Sequence, residues 1–154
     1  MKKKSVLAFL ALLPLVVLVP RADGALNCSF DSVTGVNFGS YDVFNASPRK
    51  TTGTITYSCK GAGGSGLMSM NLSMGGSGTF ANRTLLSGGN VLNYNLYPDA
   101  ANSQVWGDGT GATYHYVVNP GNGTVSLTVY GTIPPGQNVG VGSYTDTITV
   151  TMNF

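Results

Sequence analysis

Apolar and polar residues alternate along most of this sequence, and a period of two is the pattern of a β-strand with one buried face. The longest run extends from Thr145 to the end, where polar residues separate four apolar ones, Ile148, Val150, Met152 and Phe154. Shorter runs predict strands at residues 54–59, 68–74, 92–96, 113–118 and 124–133. No stretch after residue 24 shows the apolar spacing of an amphipathic helix. The sequence therefore predicts an all-β fold.

Turn-forming clusters separate these runs. Glycine, serine, asparagine and proline are concentrated at residues 61–66, 75–78, 87–90, 107–111 and 134–136. Short strands at this spacing are typical of a sandwich of two sheets. Neither a composition shift nor a repeat divides the chain, so we predict one domain at residues 25–154.

The first 24 residues have a different character. Three lysines precede an apolar run at residues 6–19 that is broken only by Pro14. This arrangement indicates a secretory signal, and the small residues Ala22 and Gly24 predict cleavage before Ala25. A membrane anchor is the alternative, but the run is shorter than the ~20 apolar residues that a bilayer span needs. We expect residues 1–24 to be removed and the domain to be exported without a membrane span.

Loss of this segment changes the charge of the chain. Four of the eight basic residues lie within residues 1–24, which leaves four basic residues and five aspartates in the domain. A nearly neutral surface without a basic stripe argues against nucleic-acid binding.

Two cysteines, Cys28 and Cys59, lie in the predicted domain. In an oxidising compartment, a cysteine pair in a small domain is most simply a disulfide. A metal site is the alternative, but His115 is the one further soft ligand in the sequence and no CxxC motif occurs. We predict a disulfide, no metal and no cofactor.

Residues suited to catalysis are few. The domain has one histidine, His115, and no glutamate, and the sequence lacks a G-x-S-x-G motif. The glycine-rich residues 107–111 have neither the lysine nor the following helix of a phosphate loop. We therefore predict that the protein is not an enzyme. Trp106, Tyr97 and Tyr114 are candidate surfaces for stacking on carbohydrate, but for Trp106 we favour packing at the mouth of the sandwich.

Short motifs follow one another along nearly all of residues 25–154. They are VNFGSY at 36–41, residues 53–59 ending at Cys59, Asn82–Arg83, LNYNLYPD at 92–99, WGDGT at 106–110, VYG at 129–131 and a terminal block that begins GSYTDT at 142. The order of these motifs and the terminal block resemble those of the spore coat protein U domain family. That family includes the pilin subunits of archaic chaperone-usher pili.

The resemblance implies an immunoglobulin-like sandwich that lacks its final strand and so has an apolar groove. In such pilins a periplasmic chaperone fills the groove first, and at the outer-membrane usher a strand from the next subunit replaces it. The resemblance places Tyr144, Ile148, Val150, Met152 and Phe154 beside the groove, with the carboxylate of Phe154 held by basic residues of the chaperone. Alternatively, these residues are core residues of a self-complete secreted coat or carbohydrate-binding surface protein.

One departure from the pilin pattern lies ahead of Cys28. Polymerising pilins carry a donor segment of about a dozen residues there, whereas three residues separate the predicted cleavage site from Cys28. At about 3.3 Å per residue they span roughly 10 Å, which is too short to complete a neighbour's sheet. A stand-alone surface protein or another cleavage site would also explain this. We expect a pilus subunit that accepts a strand, at a terminal or tip position, with a role in adhesion and biofilm formation at the cell surface.

Overall fold

Strands are the main regular secondary structure in the described part of the chain, which is residues 25–61 and 66–154 of a computed structural model. The strands are β1 (Asn27–Thr34), β2 (Arg49–Lys60), β3 (Met68–Leu72), β4 (Arg83–Ser87), β5 (Asn90–Tyr97), β6 (Tyr116–Val118), β7 (Gly123–Ile133) and β8 (Val150–Asn153). A short 3-10 helix, Gly75–Ser77, follows β3. The predicted secretory signal at residues 1–24 lies outside the described residues.

Two antiparallel sheets form a sandwich. The first has the strand order β1-β2-β7-β5-β4, and the second has the order β6-β3-β8. At the centre of the first sheet, β2 pairs with β7 from Arg49 opposite Ile133 to Cys59 opposite Gly123. The prediction of an all-β, immunoglobulin-like sandwich is confirmed.

The core lies between the sheets and follows the alternation in the sequence. In β2, Ile55 and Tyr57 are each 1% exposed, whereas Thr54 and Thr56 point to the opposite face. In β3 the same alternation buries Met68, Met70 and Leu72. Alternate positions of a strand point to opposite faces of a sheet, so one face of each strand supplies the core.

The predicted disulfide is confirmed. Cys28 and Cys59 face each other across β1 and β2, with their Cα atoms 4.1 Å apart. The bond therefore links two neighbouring strands of one sheet.

The final segment differs from the single strand predicted from Thr145 to the end. Thr145 exchanges two main-chain hydrogen bonds with Leu86 of β4, in the first sheet, at 2.9 and 3.0 Å. The carbonyl of Thr149 then accepts a hydrogen bond from the Ser73 amide at 3.0 Å, and β8 pairs with β3 in the second sheet. The chain thus crosses between the sheets, which limits the strand proper to Val150–Asn153.

Candidate functional site

The inward face of β1 is open to solvent. Phe30 and Val33 lie opposite Tyr57 and Ile55 of β2 and therefore point to the same inner face. Although both β2 residues are 1% exposed, Phe30 is 39% and Val33 is 52% exposed. In a complete sandwich the facing sheet covers such residues. Here the second sheet does not reach β1.

The second sheet ends at β8, whose inner face is also incompletely covered. Val150 and Met152 lie opposite Leu72 and Met70 of β3. Those two β3 residues are at most 2% exposed, whereas Val150 and Met152 are half-buried. Within the described residues, β8 pairs with β3 on one side and with no strand on the other. A free edge of this kind can accept a further strand.

A groove runs between these two edges and has two connected parts. The inner part, of about 190 Å³, is lined by residues 33–36 on one side and by Ile148 and Val150 on the other. The outer part, of about 760 Å³, is lined by residues 36–43 and 139–144. The linings of the two parts share Val36, Phe38 and Leu85, so the two parts adjoin each other along the groove. We call it the intersheet groove, with a first wall at residues 33–43 and a second wall at residues 139–150.

Packing on β7 holds the first wall in place. A Cβ atom at Gly131 would lie 2.5 Å from a methyl carbon of Val36 and 2.8 Å from the ring of Phe38, so the absence of a side chain allows this close approach. The Nε of Arg49 donates a hydrogen bond to the Phe38 carbonyl at 2.7 Å. The Phe38 ring also contacts Tyr94 edge-to-face, with ring centroids 5.7 Å apart. Beyond Thr34, where β1 ends, the wall is therefore fixed by side chains and not by strand pairing.

The second wall is fixed by the carboxylate of Asp146. Its Oδ1 accepts hydrogen bonds from the amides of Gly76 at 2.9 Å and Thr147 at 2.8 Å, and its Oδ2 accepts one from the Tyr94 hydroxyl at 2.7 Å. Burial raises the pKa of Tyr94, and the bond to Asp146 raises it further, so this hydroxyl remains a donor. Gly75 has a φ of +69°, and a Cβ atom there would collide with the carboxylate. The turn after β3 is thus shaped to receive Asp146.

Beneath the groove, the Arg83 guanidinium joins both sheets although it is fully buried. It donates two hydrogen bonds to the Ser73 carbonyl, at 2.9 and 2.7 Å, one to Asn95 Oδ1 at 2.9 Å and one to the Trp106 carbonyl at 2.7 Å. Its carbon Cζ lies 5.4 Å from the centroid of the Phe80 ring. Burial lowers the pKa of Arg83. Arg83 and Asn95 lie in two of the sequence motifs, but no pattern in the sequence predicts the hydrogen bonds of this network.

The residues predicted beside the groove occupy different places. Tyr144 lines its outer part, and Ile148 and Val150 line its inner part. Met152 packs against the core and Phe154 is 58% exposed, but neither lines the groove. For all five residues, a role in binding a strand stays a prediction.

Among the three predicted stacking residues, Trp106 is a core residue. It is 1% exposed, its Nε1 donates to the Met70 carbonyl at 3.2 Å, and its amide donates to the Leu96 carbonyl at 2.8 Å. The loop that carries it therefore bridges β3 and β5, and the burial of Trp106 agrees with the packing favoured from the sequence and not with a stacking surface. Tyr114 contacts the Trp106 ring edge-to-face and, like Tyr97, is half-buried. For these two tyrosines, carbohydrate stacking stays a prediction.

Within residues 25–61 and 66–154, no three or more histidine, cysteine, aspartate or glutamate side chains are grouped so that they could hold a metal ion. The same part of the chain contains no helix with the length and apolarity of a membrane span. His115 is exposed, and its Nδ1 lies 3.1 Å from the Asp108 carbonyl oxygen.

Comparison with known proteins agrees with this architecture. The chain is 42% identical to Protein U of Myxococcus xanthus over 65 residues, which are 41% of this chain and 34% of that protein. It resembles, with a TM-score of 0.57 and 21% identity, one chain of the CsuC-CsuE chaperone-tip adhesion subunit pre-assembly complex from archaic chaperone-usher Csu pili of Acinetobacter baumannii. That match covers 84% of this chain and 40% of the solved chain, and it shows a shared fold. The model of the Spore Coat Protein U domain matches residues 17–151, so the chain belongs to the Spore Coat Protein U domain family.

Proposed function

We propose that this protein is a structural subunit of a surface pilus assembled by an archaic chaperone-usher pathway, and that its intersheet groove accepts a donor strand from a neighbouring subunit. The main support for the proposal is that the second sheet leaves part of the core uncovered. Phe30 and Val33 face inward yet are 39% and 52% exposed, and Val33 lines the inner part of the groove together with Val150 of β8. Membership of the Spore Coat Protein U domain family supports the same function.

The chemistry of the groove suits an extended peptide. The unpaired main chain of β8 supplies hydrogen bonds to an added strand, and alternate side chains of that strand point into the groove. The inner part is lined mainly by apolar side chains, among them Ile55, Leu72, Leu96 and Val129. Each aliphatic side chain that a donor strand buries there contributes roughly 1.5–3 kcal/mol. A strand with alternating apolar residues is therefore the ligand that the groove fits.

The proposed partners follow from this mode of assembly. A periplasmic chaperone occupies the groove before assembly, an outer-membrane usher exchanges it for a donor strand, and other pilin subunits supply that strand. The solved complex with the same fold pairs a chaperone with a tip adhesion subunit, which supports a chaperone partner here. We propose that residues 1–24 direct export to the periplasm and that the assembled protein lies at the cell surface.

We further propose a terminal or tip position in the pilus, with a role in adhesion and biofilm formation and without catalytic activity. The presence of a tip adhesion subunit in the solved complex supports this position. Immunogold labelling of purified pili tests it, because a tip subunit is labelled at the ends of the fibres. Labelling along the whole length of the fibres would contradict the proposed position.

A donor-peptide experiment tests the proposed groove. The full-length chain is exported to the periplasm and purified, with or without a synthetic peptide that carries the alternating donor sequence of a related subunit. We expect the peptide to raise the melting temperature, because a ligand at 100 times its dissociation constant stabilises the folded state by about 2.7 kcal/mol. A soluble, cooperatively folding monomer that does not respond to the peptide would refute the proposal.

Two neighbouring residues of β8 provide a matched pair of variants. Val150→Asp places a charge in the inner part of the groove, whereas Thr151→Asp places the same charge on the exposed face of β8. We expect the first variant to lose peptide binding and the second to keep it. Equal binding by both variants would contradict a site in this groove.

A further inference from the structure

We infer that Asp146 sets the register of the final segment and thereby determines which side chains line the intersheet groove. The inference deepens the proposed function, and it depends on that function only in treating the groove as a strand-binding site. Asp146 is a positioning residue in this role, because it acts through Ile148 and Val150.

Register matters here because side chains alternate along an extended chain. A slip by one residue would turn Ile148 and Val150 away from the groove and bring Thr147 and Thr149 into it. A groove with threonine hydroxyl groups in its wall would bind an apolar strand poorly. The apolar lining of the groove therefore depends on a single register of the final segment.

Strand pairing alone fixes that register weakly. The ladder between β8 and β3 is short, from Val150 opposite Leu72 to Asn153 opposite Ser69, and one hydrogen bond from the Ser73 amide to the Thr149 carbonyl extends it. On the other side, Thr145 forms an isolated bridge with Leu86 of β4. Asp146 lies directly after this bridge, at the point where the chain leaves the first sheet.

The carboxylate of Asp146 is bound by partners on three different parts of the fold. They are Gly76 in the 3-10 helix, Tyr94 in β5 and Thr147 in the final segment itself. Hydrogen bonds to an ionised acceptor are about twice as strong as neutral ones. A one-residue slip would place a threonine in this position, and its single hydroxyl oxygen cannot replace two carboxylate oxygens. The binding site thus accepts one residue of the segment.

Two further features favour a carboxylate at this position. Gly75 leaves space that a side chain would fill, because a Cβ atom there would collide with Asp146. Burial lowers the pKa of Arg83, and the negative charge of Asp146 opposes this and favours the charged guanidinium, whose hydrogen bonds go to neutral carbonyl and amide oxygens. A slipped register would lose both the steric fit and this charge.

Thiol labelling of two introduced cysteines measures the register directly. Ile148→Cys and Thr149→Cys are made separately in the full-length chain, with the native disulfide confirmed by mass. In the otherwise natural chain we expect the cysteine at 149 to react several-fold faster, because Thr149 is exposed and Ile148 is half-buried. After Asp146→Ala we expect this difference to disappear or to reverse. An unchanged difference would overturn the inference.

Two further variants complete the test. Asp108→Ala removes an aspartate that lines neither part of the groove, so it should leave the difference in labelling unchanged. If Asp146→Ala prevents folding, Gly75→Ala is the variant that tests the inference. Its methyl group displaces the intact carboxylate of Asp146 and should also abolish the difference in labelling rate between positions 148 and 149. Labelling requires no donor peptide. A chain that binds no peptide but shows the expected labelling would therefore refute the proposed function and leave the role of Asp146 standing.

Discussion

Replacing Arg83 with methionine should strongly destabilise the protein, because methionine fills much of the space but donates no hydrogen bond. The substitution leaves the carbonyls of Ser73 and Trp106 without their donor, whereas Asn95 Oδ1 keeps the hydrogen bond from the Leu96 amide. An unsatisfied buried acceptor costs about 1–3 kcal/mol. Removal of a desolvated charge offsets part of this cost, so we take the lower end of the sum for two acceptors, about 2 kcal/mol. That is a large fraction of the 5–15 kcal/mol that stabilises a typical domain.

Urea unfolding followed by the fluorescence of Trp106, the single tryptophan of the sequence, measures this loss. We expect a lower midpoint with an unchanged slope, as for a variant with lower stability and the same buried surface. Lys60→Met removes an exposed cation from the end of β2 and should change stability by no more than about 0.5 kcal/mol. The natural chain and both variants are measured in the same solution, so that a ligand in the intersheet groove does not stabilise one of them more than another. If Arg83→Met remained within 0.5 kcal/mol of the natural chain, the buried network would not stabilise the fold as we reason.

Three further predictions concern other parts of the core. Replacing Cys28 and Cys59 with alanine opens a link across 31 residues and should lower the free energy of unfolding by about 3–4 kcal/mol, and a loss below about 1 kcal/mol in urea would contradict this. Trp106→Ala should cost about 3–5 kcal/mol in the same assay, whereas a surface platform would leave stability unchanged. Burial raises the pKa of Tyr57 and Tyr94 above the ordinary value of 10.0, so the unfolded chain releases these protons first. Stability should be complete below pH 10 and fall above it by about 1.4 kcal/mol per pH unit for each tyrosine, and a flat profile of urea midpoints would refute this.

The strands that the sequence predicted well are those with uninterrupted alternation. β3 and β5 are recognisable because each buries every second residue against the opposite sheet. β1 was not predicted, since a bulge between Phe30 and Ser32 disturbs the alternation. β4 was not predicted either, because Leu85 and Leu86 are adjacent and point to opposite faces. A period of two therefore identifies strands only where pairing is regular.

The candidate site was predictable only in part. Tyr144, Ile148 and Val150 belong to a motif and an alternating run, and they do line the groove. Trp106 lies in a loop, where no period distinguishes a buried aromatic residue from an exposed one. Asp146 was visible only as one letter of the terminal motif, because its partners Gly76 and Tyr94 lie far away in the sequence. Such contacts depend on how the sheets are stacked, and local patterns do not contain that information.

The position of the disulfide determines how tension would pass through the domain. Cys28 lies near the start of β1, and Cys59 lies near the end of β2. A pulling force applied ahead of Cys28 would therefore cross the sulfur atoms into β2 without loading the hydrogen bonds of β1. Further extension would have to separate β2 from β7, which are paired from Arg49 to Cys59. A force that enters at this end of the chain thus bypasses β1, the strand that leads into the first wall of the groove.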